Sequence, residues 1–105
     1  MYPTKLIPKG DKKGYSGKNI VVPVNFFYLA PDAQAVSIIG DFNNWQPNAN
    51  PMIRQPDGSW RIQLPIHHGH HAYQFLVDGT PVLDPRGQGV TRNRRNERSS
   101  LIAVS

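Results

Sequence analysis

The sequence has 105 residues and contains no cysteine. Disulfide bonds and thiolate metal sites are therefore excluded, and the composition suits a reducing compartment. Long apolar runs are also missing, since the longest one, residues 20–30, is interrupted by Asn25 and is too short to cross a bilayer. Residues 1–19 lack the apolar segment of a secretory signal. We therefore expect a cytoplasmic chain with no membrane association.

Charged residues are scarce and unevenly distributed. They make up 18% of the chain, and the net charge is +5. All five lysines lie in residues 1–19, and five of the seven arginines lie in residues 86–105. A net positive charge that comes from the two ends of the chain is typical of charged tails rather than of a nucleic-acid surface. No aromatic residue lies among the arginines of 86–105 for base stacking, so nucleic acid is disfavoured as the main partner.

The residues that are abundant indicate strands and turns. Ten prolines and nine glycines accompany ten aromatic residues, which argues for a folded chain with many turns. Apolar residues alternate along 60–66 and 73–77, as in half-buried strands. Strands are predicted at residues 21–29, 36–39, 52–54, 60–66, 71–77, 80–83 and 101–104. This pattern predicts an all-β, immunoglobulin-like antiparallel sandwich of about seven strands over residues 20–105, preceded by a flexible basic arm, residues 1–19.

The connections between these strands carry turn signals. Asp57-Gly58, His68-Gly69 and Asp78-Gly79 each supply the positive φ that a tight hairpin needs, so three hairpins are predicted. Residues 85–100 are polar and rich in arginine, and we expect a long loop that is either mobile or folded over one face of the sandwich.

Motifs for catalysis and for cofactor binding are lacking. The sequence contains no nucleophile elbow, phosphate loop or dinucleotide fingerprint, and its aspartates are accounted for by turns and strand ends. We expect no enzymatic activity and no cofactor. Four histidines flank Gly69 and could take up Zn²⁺ or Ni²⁺. Alternation sends neighbouring side chains to opposite faces, which favours a solvated turn over a metal site.

Trp45 is the most informative single residue. It lies in residues 43–51, which hold four asparagines, one glutamine and two prolines. The indole could plug one end of the sandwich, because tryptophan is usually well buried. It could equally be an exposed platform, since a flat aromatic ring matches the apolar face of a sugar and amides match its hydroxyl rim. Composition alone leaves both interpretations open.

Several segments in a fixed order resemble a known family. Residues 30–45 read APDAQAVSIIGDFNNW, 57–60 read DGSW, 73–79 read YQFLVDG, and 84–85 read DP. Together they resemble the family 48 carbohydrate-binding modules, which include N-terminal domains of glycogen branching and debranching enzymes and the glycogen-binding domain of the AMP-activated protein kinase β subunit. The resemblance covers residues 20–104 and implies an early-set immunoglobulin-like sandwich.

The resemblance also implies a glycan site. Trp45 matches the tryptophan that stacks on glucose in the kinase-subunit domains, and Gln74 matches a lysine of that site. Ser99 falls near a site asparagine, while Pro81 occupies the position of a second stacking tryptophan. Asn43 and Asn44, beside Trp45, complete the candidate carbohydrate-binding residues.

These observations predict a non-catalytic module that binds an α-glucan polysaccharide or a malto-oligosaccharide through Trp45. The alternative is a protein-interaction or regulatory domain of the same fold with a protein partner. Pro81 and the two basic ends favour the alternative, whereas Trp45 and its amide-rich loop favour glucan binding.

Overall fold

The computed structural model describes residues 20–93 and 95–105, so the predicted arm, residues 1–19, and Arg94 lie outside it. Within the described residues the regular structure consists of eight strands and one 3₁₀ turn at Asp41–Asn43. The strands are β1 Val21–Leu29, β2 Val36–Gly40, β3 Ile53–Arg54, β4 Ser59–His67, β5 Gly69–Val77, β6 Thr80–Val82, β7 Gly89–Arg92 and β8 Arg98–Val104. Over the same residues, no helix is long and apolar enough to cross a membrane.

The strands form two antiparallel sheets that pack face to face. One sheet has the order β1-β4-β3, and the other has the order β2-β5-β8-β7 with β6 beside β5. The core between them is built from alternate residues of both sheets, including Phe26 and Ile66 from the first and Ile38, Tyr73 and Phe75 from the second. This arrangement confirms the predicted all-β sandwich.

The predicted strand faces agree with the structure as well. Trp60 and Ile66 are buried, whereas Arg61 and Gln63 between them are exposed. Strict alternation along a strand sends successive side chains to opposite faces, so one register decides burial for the whole strand.

The predicted hairpin at His68-Gly69 is wrong. β4 and β5 belong to different sheets, so this turn carries the chain from one sheet to the other. Gly69 does adopt a positive φ of 127°, as the turn signal required. A sharp reversal therefore exists, but the strands on either side turn their apolar faces toward each other instead of pairing edge to edge. The turns at Asp57-Gly58 and Asp78-Gly79 are hairpins as predicted, joining β3 to β4 and β5 to β6.

The segment predicted as a long loop, residues 85–100, contains a further strand. β7 pairs with β8, and this raises the number of strands from about seven to eight. The hairpin tip is closed by Asn93, whose side-chain oxygen accepts hydrogen bonds from the backbone N–H groups of Arg95 and Glu97. Only Val90 and Thr91 carry β-branched side chains in β7, too short a run to stand out among arginines and glycines.

A buried polar contact ties three parts of the fold together. The Tyr73 hydroxyl donates to Asp84 Oδ2 at 2.6 Å, and the Asp84 backbone N–H donates to Ser100 Oγ at 2.7 Å. The phenol is 2% exposed. Burial, reinforced by the hydrogen bond and the negative charge of Asp84, raises the pKa of Tyr73 above its ordinary value.

Replacing Tyr73 with phenylalanine should cost about 1–3 kcal/mol, because the Asp84 carboxylate loses a short hydrogen bond in a partly buried place. A raised folded-state pKa means that this stabilisation is complete below the ordinary tyrosine pKa of about 10 and declines as the pH rises above it. Urea denaturation of wild type and Tyr73→Phe, at neutral pH and at about pH 11, measures both effects. If raising the pH lowered the free energy of unfolding equally in wild type and Tyr73→Phe, the raised pKa could not belong to Tyr73.

Candidate functional site

The turn that presents Trp45 has an unusual backbone. Gly40 ends β2, the 3₁₀ turn follows, and the Trp45 N–H donates back to the Gly40 carbonyl at 2.9 Å. Asn44 and Trp45 both lie in the left-handed region, with φ of 57° and 58°. Asparagine tolerates this region, but a bulky residue there is an outlier. Such strain costs roughly 1–3 kcal/mol per residue and persists where the surroundings hold it, most often at functional sites.

Asn43 braces this turn from inside. Its Oδ1 accepts from the Gly40 N–H at 3.0 Å, and its Nδ2 donates to the Ile38 carbonyl at 3.0 Å and to Asn50 Oδ1 at 2.8 Å. Both amide donors and one acceptor position are therefore occupied within the turn. The neighbouring Asn44 is exposed, so its side chain faces solvent beside the indole.

A second brace connects the turn to β5. Asp41 Oδ1 lies 2.7 Å from His71 Nδ1, and Asp41 Oδ2 accepts from the Ala72 N–H at 3.0 Å. The other ring nitrogen, His71 Nε2, lies 2.7 Å from the His67 carbonyl oxygen. Both ring nitrogens of His71 thus contact other parts of the protein, and the residue is partly buried. The other three histidines of the predicted solvated turn are exposed. Among the described residues no group of three or more potential ligands could hold a metal ion.

The two tryptophans occupy different environments. Trp60 is 6% exposed and belongs to the core, where its Nε1 donates to the Ala30 carbonyl at 3.0 Å. Trp45 is 40% exposed and lies outside that core. An indole that remains this accessible offers a ring face to a ligand.

Gln74 lies on the outer face of the five-stranded sheet, next to the strand from which the Trp45 turn departs. It is paired with Ile39 of β2, and its Nε2 donates to the Arg98 carbonyl at 2.7 Å. That bond fixes the amide plane. Within residues 20–93 and 95–105, no hydrogen bond reaches its Oε1, which is therefore available as an acceptor.

Ser99 lies on the neighbouring strand but is not accessible. Tyr73 of β5 is paired with Ser100 of β8. Gln74 and Ser99 are the next residues along these two antiparallel strands, so they lie side by side. Ser99 is 5% exposed and is paired with Thr91 of β7. The structure thus brings Trp45, Asn44 and Gln74 to accessible positions around β2 and β5, with Ser99 below the surface beside them.

Sequence reasoning missed the apolar neighbours of Gln74 on this face. Ile39 and Leu76 point to the same side, and Leu76 is paired with Pro81 of β6. The alternation of apolar and polar residues in β2 and β5 was the signal that could have revealed these neighbours. However, β2 carries apolar residues at both odd and even positions, so its sequence does not show which residues point outward.

Replacing Asn43 with alanine should destabilise the fold by about 1–3 kcal/mol, because buried backbone groups of the turn lose their partners. The Trp45 indole should also become more mobile. Urea denaturation and the NMR line width of the Trp45 indole N–H measure the two effects. Asn48→Ala, an exposed change in the same loop, is the matched control. Equal stability of the two variants would show that the Asn43 bonds contribute nothing to the turn.

Trp45 thus presents an exposed indole on a fixed turn, and Gln74 presents an amide on the outer face of the five-stranded sheet. Residues 15–94 match the family described as carbohydrate-binding module 48 (isoamylase N-terminal domain). The chain belongs to this family.

Its relatives include much larger enzymes. The chain is 42% identical over 57 residues to the 1,4-alpha-glucan branching enzyme GlgB of Novosphingobium aromaticivorans, covering 53% of this chain and 8% of that protein. It is 38% identical over 80 residues to the 1,4-alpha-glucan-branching enzyme 2-2, chloroplastic/amyloplastic, of Arabidopsis thaliana, covering 76% and 8%. It is 50% identical over 61 residues to the 1,4-alpha-glucan-branching enzyme of Emericella nidulans, covering 54% and 9%. The chain thus spans less than a tenth of the length of these curated relatives.

Proposed function

We propose that this chain is a non-catalytic, cytoplasmic α-glucan-binding module that stacks glucose units of glycogen, starch or malto-oligosaccharides on Trp45. The observation that carries the proposal is the accessible indole, 40% exposed, on a turn that holds two successive left-handed residues in place. Relatives whose names refer to 1,4-alpha-glucan support the choice of polymer.

The chemistry of the site suits a neutral sugar. A pyranose ring has an apolar C–H face that matches the indole, and hydroxyls at its rim that match amides. Asn44 beside the ring offers both donors and an acceptor, and Gln74 offers Oε1 as an acceptor. Each hydroxyl exchanges water for a protein group at a small net gain of about 0.5–1.5 kcal/mol. Affinity therefore depends mainly on the stacked ring area.

The second candidate function is a protein-interaction or regulatory domain. Leu29 and Ile53 are 60% and 64% exposed on the three-stranded sheet, away from Gln74. Exposed apolar side chains mark a surface that meets another protein where they form one contiguous patch. Pro81 occupies the position where a second stacking platform is expected. Its presence there favours the protein-interaction domain over the glucan-binding module.

A titration with maltoheptaose and with a DNA oligomer, each at low and at high salt, separates the proposals. With one indole and Pro81 in place of a second, we expect Kd for maltoheptaose on the order of 0.1–1 mM, equivalent to about −4 to −5.5 kcal/mol. Glycogen should bind more tightly because one polymer presents many equivalent sites. Binding should not change with salt, since a neutral sugar releases no counterions.

Three outcomes would count against the proposal. Tight, salt-sensitive binding of the oligomer with no response to maltoheptaose would make the arginine-rich hairpin of β7 and β8 the functional site. Shortening or lengthening of maltoheptaose during the incubation would show a catalytic activity. Absence of binding to both ligands would favour the protein-interaction domain.

A further inference from the structure

A cleft of about 500 Å³ lies apart from the Trp45 site and includes none of its five candidate residues. It is formed where β1, an edge of the three-stranded sheet, faces the segment that joins β6 to β7. Phe27 and Arg61 contribute from the outer face of that sheet, and Arg86 contributes from the segment. A concave site of this volume is in the range that small molecules occupy.

Two guanidinium groups share one aromatic ring in this cleft. Arg61 Cζ lies 4.8 Å from the centroid of the Phe27 ring, and Arg86 Cζ lies 4.7 Å from the same centroid. Arg61 reaches the ring because it is the cross-strand partner of Phe27. Both contacts are within the distance at which a cation is attracted to an aromatic ring. Both arginines also line the same cleft beside this ring.

The positive charges of this pair are partly offset by nearby carboxylates, since Asp57 interacts with the charge of Arg61 and Asp84 lies beside Arg86. In the described part of the chain neither arginine forms a salt bridge with a carboxylate. Arg61 Nε has only a long contact of 3.4 Å to Ser59 Oγ. An anion bound in the cleft would accept charge-assisted hydrogen bonds from the guanidinium groups that line it.

The backbone that carries Arg86 is fixed. Asp84 Oδ1 accepts from the Arg86 N–H at 2.8 Å, and the Asp84 carbonyl accepts from the Gly87 N–H at 3.1 Å. A Cβ at Gly87 would lie 3.3 Å from that carbonyl oxygen and 3.5 Å from the Tyr73 hydroxyl oxygen, so the segment packs closely on the sheet below. Asp84, the acid that lines the cleft, has one oxygen bonded to Arg86 N–H and the other to Tyr73. Such a site is preorganised rather than formed by a mobile loop.

We propose that this cleft binds the phosphomonoester of a small sugar. A phosphate carries up to two negative charges and three oxygens, enough to accept hydrogen bonds from both guanidinium groups, whereas one fork satisfies a carboxylate. Amides at the rim suit hydroxyls: Asn25 Oδ1 is bonded to Gln63, and Gln88 Oε1 is bonded to the Ala103 N–H. Their amino groups have no hydrogen-bond partner among the described residues and would be available as donors to a hydroxylated ligand.

The test is an NMR titration of the full chain with glucose 6-phosphate, inorganic phosphate and glucose. Glucose 6-phosphate should shift the side-chain signals of Asn25, Gln88, Arg61 and Arg86, with an affinity that falls as salt rises. Arg61→Gln and Arg86→Gln should each weaken binding about tenfold or more, because each removes charge-assisted hydrogen bonds. Arg95→Gln, the same charge change at an exposed position outside the cleft, should bind as wild type does.

Each alternative result overturns a defined part of the proposal. An equal loss in Arg95→Gln would show non-specific attraction to a basic protein, and unchanged affinity in Arg61→Gln and Arg86→Gln would exclude the cleft. Equal affinity for inorganic phosphate would exclude the sugar as part of the ligand, and binding of glucose alone would exclude the phosphate. The Trp45 indole signal, followed with maltoheptaose in the same variants, reports the glucan site separately. The two proposals can therefore fail independently.

Discussion

Replacing Trp45 with alanine should abolish retention on glycogen while changing the free energy of unfolding by less than about 1 kcal/mol, as for an exposed side chain. The reason is the position of the indole, which is 40% exposed and outside the core. The bonds of Asn43 and Asp41 that hold the turn do not involve the removed ring. Affinity electrophoresis in glycogen-containing gels measures retention, and urea denaturation measures stability.

Two further variants make this result specific. Trp45→Phe retains a smaller flat ring and should keep part of the retention, whereas Val90→Ala trims another exposed apolar residue and should keep all of it. Full retention of Trp45→Ala on glycogen would rule out the stacking platform. A loss of about 3–5 kcal/mol in its free energy of unfolding would show that the indole is a buried plug.

Trp60→Ala should be the most destabilising single change considered, at about 3–5 kcal/mol, because it empties a large volume in the core. Trp60 is 6% exposed, and its indole N–H satisfies the Ala30 carbonyl at the end of β1. Removing it leaves a cavity and takes one of two hydrogen bonds from the Ala30 carbonyl, which still accepts from the Ala33 N–H. The free energy of unfolding from urea titration, followed by far-ultraviolet circular dichroism, is the measurement.

Trp60→Phe is the appropriate control, since it fills most of the cavity and loses only the indole hydrogen bond. It should cost clearly less than the alanine change. Because the chain has two tryptophans, this variant also leaves Trp45 as the sole indole and lets its fluorescence report glucan binding directly. Near-wild-type stability of Trp60→Ala would mean that the faces of β4 are assigned the wrong way round.

Strand positions and faces were predictable because they depend on local pattern. The bounds of β1, Val21–Leu29, are those predicted from its run of β-branched and aromatic residues. The turn at His68-Gly69 shows the limit of that information. A glycine with positive φ indicates a chain reversal, but whether the flanking strands pair or separate into two sheets depends on packing elsewhere.

The candidate site was predictable only in part, for a related reason. Trp45 was prominent in the sequence because of its amide-rich loop and the family resemblance. The contact of Asp41 with His71 was not, because it joins residues thirty positions apart on different elements. The exposure of Ser99 also depends on a strand, β7, that the sequence pattern did not reveal.

The crossing at His68 has a consequence for the rate of folding. Since β4 does not pair with the strand that follows it, its long partner is β1, where Leu29 meets Ser59 and Val21 meets His67, thirty or more positions away. Hairpins such as β5–β6 form within about 1–10 μs, whereas pairing over such separations must first overcome the entropy of closing a long loop. Chains dominated by non-local pairing fold in milliseconds to seconds. We therefore expect β1 to pair late in folding, and until it does the only strand paired with β4 among the described residues is the two-residue β3.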